Sequence, residues 1–229
     1  MSVTLIIPDL HLPFHHLRSF EFIEEAIRKY KPATVVCVGD EIDFGTMDRF
    51  KNRNQVDMTP KEELEKAKEG LRILYKLCPT LHICKSNHIQ RVDRTAHNNS
   101  IPSQFLKSFR EVIDAPPTWV WHEQFLIEGT DDKGRDYLFC VIHGHQTKAD
   151  NSARKWSLLQ GISTVAGHNH TKACITYDKT NDVNVWSMSV GSLIDENAET
   201  FNYNDRYTRR PITCLGVVEN NVPHIIPMN

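Results

Sequence analysis

The 229-residue sequence has no apolar run long enough to cross a membrane. Its longest apolar stretches, such as Val35–Val38, have the length of a single strand. The start of the chain leads almost directly into the apolar segment Val3–Ile7, without the basic region and longer apolar stretch of a secretory signal. We therefore expect a cytoplasmic protein with no membrane partner.

Cysteine-pairing motifs and an excess of charge are also missing. The 6 cysteines show no C-x-x-C spacing, and Cys37 and Cys140 lie inside apolar, strand-like segments. This pattern is typical of reduced, buried thiols rather than of a disulfide framework or a zinc knuckle. The formal net charge of −2 gives no overall attraction for nucleic acid, so a polyanion would need a local basic patch or bound metals.

Linkers, repeats and low-complexity segments are absent as well, which favours a single domain over residues 1–229. In the first half of the chain, predicted strands alternate with predicted helices, in the order Val3–Ile7 (strand), Leu17–Tyr30 (helix), Thr34–Val38 (strand), a helix from Thr59 to a stop at Pro79, and Leu81–Cys84 (strand). Thr59, Pro60 and Glu62 form a capping box at the start of the second helix. This alternation favours βαβ units and a largely parallel sheet.

The second half of the chain is richer in strands. Alternating or apolar segments predict them at Gln124–Glu128, Tyr137–Ile142, Ser163–Ala166, Ala173–Tyr177, Val183–Ser189 and Cys214–Val218. The residues D-D-K-G at 131–134 predict a hairpin turn. A short helix is expected near Phe105–Ile113 and another over Asn151–Leu159.

Side chains with metal-binding chemistry follow five of the apolar segments. The motifs are D-x-H at 9–11, G-D-E-I-D at 39–43, S-N-H at 86–88, H-G-H at 143–145 and G-H-N-H at 167–170. In open α/β sheets, ligands gather beyond the carboxyl ends of the strands, where these motifs fall. Each motif alone is more often an ordinary turn, but five in series favour a site for two divalent ions, which needs carboxylate, imidazole and oxygen ligands together.

Individual positions suit particular roles in such a site. Asp9 and His11 would lie on the same side of an extended segment and could reach one ion. Asp40 follows Gly39, which lets the backbone come close, and its carboxylate could bridge two ions. The amide oxygen of Asn87 is a suitable hard ligand, and the neighbouring His88 could face the substrate as a general acid.

The ordered motifs resemble those of the calcineurin-like metallophosphoesterases, whose pattern is D-x-H, G-D-x-x-D, G-N-H-[DE], a later H and G-H-x-H. The resemblance covers Asp9 to His170 and implies an α/β fold in which a two-sheet β-sandwich is flanked by helices, a four-layer αββα arrangement. Ser86 and Ile89 stand where the family has glycine and an acidic residue, and neither change removes a ligand.

The same resemblance implies a role for each residue of the motifs. One metal would be held by Asp9, His11, Asp40 and His170, and the second by Asp40, Asn87, His143 and His168. His88 would be the general acid, with Asp43 orienting its ring. More loosely, residues 87–94, 152–154 and 189–192 resemble small phosphoesterases of phages and prophages, which would place the protein in a host cytoplasm.

Four further residues are candidates for binding substrate. Arg91 and Arg94 lie one helical turn apart just after His88 and could both face a phosphate, with a solvated surface turn as the alternative. His15 and His145 lie beside ligand motifs; His145 could equally support the metal ligands, and His15 could be plain surface. Trp119 and Trp121 could stack a base, although packing is favoured because buried aromatic residues usually pack.

The expected function is hydrolysis of a phosphate ester with two divalent ions, Mn first, with Fe, Zn, Ni or Mg as alternatives. A metal-bridged hydroxide would attack phosphorus while His88 protonates the departing oxygen. A phosphodiesterase acting on nucleic acid or nucleotides is favoured, because there is no large cap domain and residues 49–53 form a basic stretch, which could also be an ordinary loop. A phosphomonoesterase acting on nucleotides or phosphoprotein is the alternative, and a non-catalytic metal-bearing adaptor is the weakest hypothesis.

Overall fold

The chain folds into two sheets packed face to face, with helices on both outer sides. The computed structural model describes residues 2–48, 58–147, 150–180, 183–198 and 210–228. Within these ranges, no helix is both long and apolar enough to cross a membrane.

The first sheet has six strands in the order β11-β10-β1-β2-β3-β4. Their bounds are β1 (Val3–Ile7), β2 (Thr34–Cys37), β3 (Leu81–Cys84), β4 (Trp119–His122), β10 (Cys214–Glu219) and β11 (Val222–Pro227). Strands β1, β2 and β3 pair in parallel, as the alternating pattern predicted, β4 adds to them in parallel, and β10 pairs antiparallel with β1. The two edge strands were not predicted: β4 is short and follows Pro116-Pro117, and β11 contains Pro223, which an edge strand tolerates.

The second sheet has five strands in the order β5-β6-β7-β9-β8. They are β5 (Gln124–Thr130), β6 (Asp136–Ile142), β7 (Ser163–Ala166), β8 (Ala173–Thr180) and β9 (Val183–Val190). The predicted turn between β5 and β6 is confirmed, with Gly134 N donating to Asp131 O over 3.0 Å. Because β6, β7 and β9 are parallel, their carboxyl ends share one edge of the sheet.

In the part of the chain that the structure describes, five α-helices connect and cover the sheets, namely α1 (Ser19–Tyr30), α2 (Pro60–Leu77), α3 (Gln90–Asn98), α4 (Phe109–Val112) and α5 (Ser152–Gln160). The predicted capping box of α2 is present: the Thr59 hydroxyl accepts from Glu62 N, and the Glu62 carboxylate accepts from Thr59 N over 2.7 Å. Helix α4 is shorter than predicted, because a second capping box starts it only at Ser108.

Three apolar clusters hold the layers together. Ile6 and Val36 of the first sheet meet Phe139, Val165 and Met188 of the second to form the layer between the sheets. Helices α1 and α2 pack on the outer face of the first sheet, and α5 packs on the outer face of the second. The predicted helix–sheet–sheet–helix arrangement is confirmed, and so is the prediction of unpaired cysteines.

Candidate metal centre

The predicted site residues come together where the parallel strands of both sheets end. Asp9 follows β1, Asp40 follows β2, and Asn87 and His88 follow β3. From the second sheet, His143 follows β6, and the segment 167–170 follows β7. The two sheets therefore deliver side chains to one place because they end at a common edge.

Ligand atoms in this place fall into three groups, each with all its atoms within 4.8 Å of one another. The groups are Asp9, His11, Asp40 and His170; Asp40, His143 and His168; and His11, Asp43 and His88. Asp40 belongs to the first two groups, as expected for a carboxylate that bridges two ions. The amide oxygen of Asn87 joins the second group, 3.0 Å from His143 Nε2.

Backbone carbonyls and carboxylates fix which imidazole nitrogens face the centre. His143 Nδ1 lies 3.1 Å from Val38 O, and His11 Nδ1 lies 2.6 Å from Asp43 Oδ1. Because both partners accept hydrogen bonds, the Nδ1 atoms carry the protons and the Nε2 atoms point into the cluster. There, His11 Nε2 lies 3.1 Å from His170 Nε2. At this distance the two nitrogens either share a hydrogen bond, for which His170 Nε2 would carry the hydrogen, or would bind one metal ion together.

Buried carboxylate oxygens show that the donor set fits metal ions. Asp9 and Asp40 are almost completely buried. Among the described residues, Asp9 Oδ1 has no hydrogen-bond donor, and the charged partners of Asp40 Oδ2 are imidazole nitrogens, those of His143 and His11 at 3.3 and 3.4 Å. A buried charge is costly unless it is paired or coordinates a metal. Together with the converging imidazole nitrogens, these oxygens match the ligand preferences of first-row divalent metals.

Unusual backbone conformations bring the cluster together. His11, Asp40 and His168 have φ values of 52°, 47° and 67°, in the left-handed region. The expectation that Asp9 and His11 share an extended segment is therefore wrong, because the chain turns at His11. His11 N donates to Asp40 O over 2.8 Å, so this turn ties the ends of β1 and β2 together.

Glycine at positions 39 and 167 allows this close approach. Gly39 has φ of 118°, and a Cβ there would lie 2.9 Å from His143 Nδ1. At Gly167, a Cβ would lie 2.7 Å from Asp9 Oδ1. The next main-chain amide, of His168, donates to Asp9 Oδ2 over 2.7 Å. The predicted close approach of the backbone at Gly39 is confirmed.

The Asp43 carboxylate lies closer to His11 than to His88. Its Oδ1 atom is 2.6 Å from His11 Nδ1 but 3.3 Å from His88 Nδ1. The ring of His88 is held instead by the main-chain oxygen of Asp43, 2.5 Å from its Nδ1. This places the Nε2 atom of His88 on the side of Asp40, 3.7 Å from Oδ2. The main-chain oxygen of Asp43 thus orients the His88 ring, and the carboxylate of Asp43 orients the His11 ring.

The electrostatics of the cluster keep its carboxylates charged. Burial raises the pKa of Asp40, but His143 and His88 outweigh it and hold that pKa well below the usual range. Burial lowers the pKa of His88, but Asp40 and Asp43 raise it above the usual value. For His143, burial is again outweighed, by Asp40 and Asp9, and the pKa rises to about 9. A metal ion at this histidine would compete with that proton.

The four candidate substrate residues differ in their surroundings. The guanidinium of Arg91 donates to Asp43 O over 2.8 Å and pairs with Asp48 over 2.7 Å. Arg94 is exposed and donates from Nη2 to Asn87 O over 3.0 Å. The His145 ring lies 5.3 Å from that of His143, whereas His15 packs on Phe20 with ring centres 4.8 Å apart. Arg94 and His145 thus lie beside the cluster, and Arg91 holds the loop that carries Asp43.

Two tryptophans and a basic stretch were also candidates for contact with nucleic acid. Trp119 is fully buried against Tyr75, and Trp121 donates to Glu41 over 2.9 Å, so both tryptophans pack in the interior. The favoured packing interpretation is confirmed. The basic stretch at 49–53 lies outside the described residues.

Sequence reasoning missed several groups around the cluster. Glu63 of α2 is fully buried, and its carboxylate accepts hydrogen bonds from Gly45 N (2.8 Å) and Thr46 N (3.0 Å), just after Asp43. The carbonyls of Val38 and Asp43 orient His143 and His88. The hydrogen bonds of main-chain carbonyls cannot be predicted from residue types. A glutamate in an amphipathic helix is usually exposed, so the sequence gives no indication that Glu63 is buried.

Comparison with known proteins identifies the fold. No family model matches the chain, and no curated protein matches it. Among solved structures, it is similar to Yfce, a phosphoesterase from E. coli, with a TM-score of 0.53 and 11% identity over 100% of this chain and 94% of that one. It also matches Vps29 from Chaetomium thermophilum, with a TM-score of 0.43 and 12% identity over 95% of this chain and 84% of that one. The first likeness shows that the two-sheet architecture is that of a phosphoesterase structure.

Proposed function

We propose that the protein is a phosphoesterase that uses two divalent metal ions, and that it acts on phosphodiesters of nucleic acid or nucleotides. The observation that carries the proposal is the position of the Asp40 carboxylate. This carboxylate belongs to two ligand groups at once, is almost completely buried, and lies 3.3 and 3.4 Å from the Nε2 atoms of His143 and His11. A bridging carboxylate is what a pair of divalent ions requires.

The proposed ligands follow from the groups of atoms described above. One ion would be held by Asp9, His11, Asp40 and His170, and the other by Asp40, Asn87, His143 and His168. When bound, a pair of such ions supplies Lewis acidity, which lowers the pKa of water and offsets the charge of a phosphoryl group. Imidazole and carboxylate ligands together suit Mn, Fe, Zn or Ni, with Mg less favoured, and we propose Mn as the first choice.

His88 is proposed as the general acid. Asp43 O fixes the proton on Nδ1, and Nε2 faces the cluster. Because its pKa is raised above the usual value, more of the imidazole is doubly protonated near neutral pH. Its Nε2 proton can then pass to the oxygen that leaves phosphorus. Asp43 supports this role by raising the His88 pKa and by orienting His11.

The charges beside the cluster favour a diester over a monoester. A monoester dianion is best bound by several cationic donors. Of the two predicted arginines, Arg91 is engaged by Asp43 O and Asp48, whereas Arg94 pairs with no carboxylate among the described residues. A single guanidinium without a carboxylate partner offers fewer cationic donors than a monoester dianion requires. The cytoplasmic location and the likeness to phage phosphoesterases stay predictions from the sequence.

Turnover of two chromogenic esters tests the proposal. With added manganese, the protein should hydrolyse bis-p-nitrophenyl phosphate faster than p-nitrophenyl phosphate. A strong preference for the monoester would contradict the diesterase assignment and support the phosphomonoesterase. No turnover of either ester by protein that has bound metal would support the non-catalytic adaptor instead.

A further inference from the structure

A polar cavity of about 270 Å³ lies between helix α3 and the segment that contains Met47 and Asp48. Four of its lining residues, Arg91, Arg94, Thr95 and Asn98, come from α3. Their spacing of three, four and seven residues places them on one face of the helix. Pockets that enclose a whole ligand are usually about 300 Å³ or larger, so this cavity suits one part of a substrate.

The cavity adjoins the proposed reaction centre through Asn87. This residue lines the cavity, and its amide oxygen lies 3.0 Å from His143 Nε2 in the cluster. His88 follows directly, and under the proposed function it gives its proton to the leaving oxygen. The group attached to that oxygen must therefore lie near the start of α3. Among the described residues, those that line the cavity are positioned to contact this group.

The charge of the cavity wall indicates what that leaving group carries. The charge of Arg91 is offset by Asp48, 2.7 Å away. Arg94 is exposed and donates from Nη2 to the main-chain oxygen of Asn87, so its positive charge is not offset by a carboxylate among the described residues. The Thr95 hydroxyl and the Asn98 amide lie on the same wall and add hydrogen-bonding groups. The wall therefore has one net positive charge.

Resting on the proposed function, we propose that this cavity binds the leaving group of the diester and that Arg94 pairs with a second phosphate carried by that group. An arginine fork suits a phosphate because it can donate two parallel hydrogen bonds. The preferred substrates are then short or long nucleic-acid strands, in which the unit released at the cut bears a further phosphate. Diesters with an uncharged leaving group are poorer substrates.

Dinucleotides with and without an extra phosphate test the proposal. The thymidine dinucleotide TpT is compared with pTpT and TpTp, so that the added phosphate lies at either end, and products are separated by chromatography in the presence of manganese. We expect one of the two phosphorylated dinucleotides to have a kcat/KM about tenfold above that of TpT, the effect of one charged hydrogen-bonded pair.

The variant Arg94→Gln should lose this preference, so that its kcat/KM for the phosphorylated dinucleotide falls about tenfold further than its kcat/KM for TpT and for bis-p-nitrophenyl phosphate. Arg28→Gln is the matched control, because Arg28 is exposed in the last turn of α1 and the change in net charge is the same. Turnover of TpT without a preference, or a preference that survives in Arg94→Gln, would overturn the cavity assignment alone. No turnover of any of these esters would overturn the proposed function, and the cavity assignment with it.

Discussion

Replacing Asp43 by asparagine separates the two roles that this residue could have. Its Oδ1 atom lies 2.6 Å from His11 Nδ1 but 3.3 Å from His88 Nδ1. The substitution leaves the main-chain oxygen that holds His88 in place. We therefore expect Asp43→Asn to act first on His11, a proposed metal ligand, and only second on His88.

The size of the effect follows from these contacts. Loss of a charged partner behind a metal-binding histidine lowers metal affinity by about 10- to 100-fold, or roughly 1.4 to 2.7 kcal/mol. At saturating manganese, the turnover rate should fall by less than about tenfold, because the His88 ring keeps its main-chain partner. Asp43 also raises the pKa of His88, so its removal should move the alkaline limb of the pH–rate profile to lower pH.

The assay is a manganese titration of chelator-treated protein, followed both by calorimetry and by hydrolysis of bis-p-nitrophenyl phosphate. Asp114→Asn is the control, because Asp114 is an exposed residue that pairs with Lys68 away from the cluster. If manganese affinity stays unchanged while turnover drops by about two orders of magnitude, the expectation is wrong. That result would show that Asp43 acts through His88 instead.

Three other substitutions probe separate parts of the structure. His88→Ala should lower turnover by about two orders of magnitude or more while the metal content, measured by mass spectrometry, stays that of the wild type; a loss of metal would contradict its role as the acid. Glu63→Ala should lower the free energy of unfolding in urea by about 3 kcal/mol, because two main-chain N–H groups lose a buried carboxylate; a change below about 1 kcal/mol would contradict this. Burial raises the pKa of Glu41 from 4.5 to about 7, so the folded protein binds this proton more tightly and loses stability as pH rises through that window. In chelator-treated protein, the stability of Glu41→Gln relative to the wild type should therefore rise by roughly 3 kcal/mol between about pH 4.5 and 7.5, and a pH-independent difference would contradict the burial argument.

The sequence could predict the fold where local signals agreed with the final structure. The parallel core of the first sheet was predicted because β-branched runs alternate with helices, and the start of α2 because its capping box is a purely local feature. The edge strand β4 was missed because it is short and pairs with β3, far earlier in the chain. The edge strand β11 was missed although it forms a hairpin with the neighbouring strand β10. Proline in β11 also argued against a strand, although an edge position removes that objection.

The candidate site shows a similar division. The order of the motifs predicted which side chains meet, because strand ends in a sandwich of parallel strands have to lie together. Which partner each side chain finds was beyond prediction. The sequence pairs Asp43 with His88, and in the structure the carboxylate lies 3.3 Å from His88 but closer, at 2.6 Å, to His11, while a backbone carbonyl also holds His88. Arg91 likewise turns inward to Asp48, a contact between helix α3 and a loop distant in sequence that no spacing reveals.

The proposed phosphodiesterase activity depends above all on two metal ions. Asp40 is the proposed ligand that both ions share. To test this, all metal is removed with a chelator, and manganese is then added in steps while turnover of bis-p-nitrophenyl phosphate is recorded. We expect no turnover without metal, a rise that is complete at two ions per chain, and loss of both the second ion and the activity in Asp40→Asn. Full activity at one ion per chain, or no activity at two, would contradict the proposal.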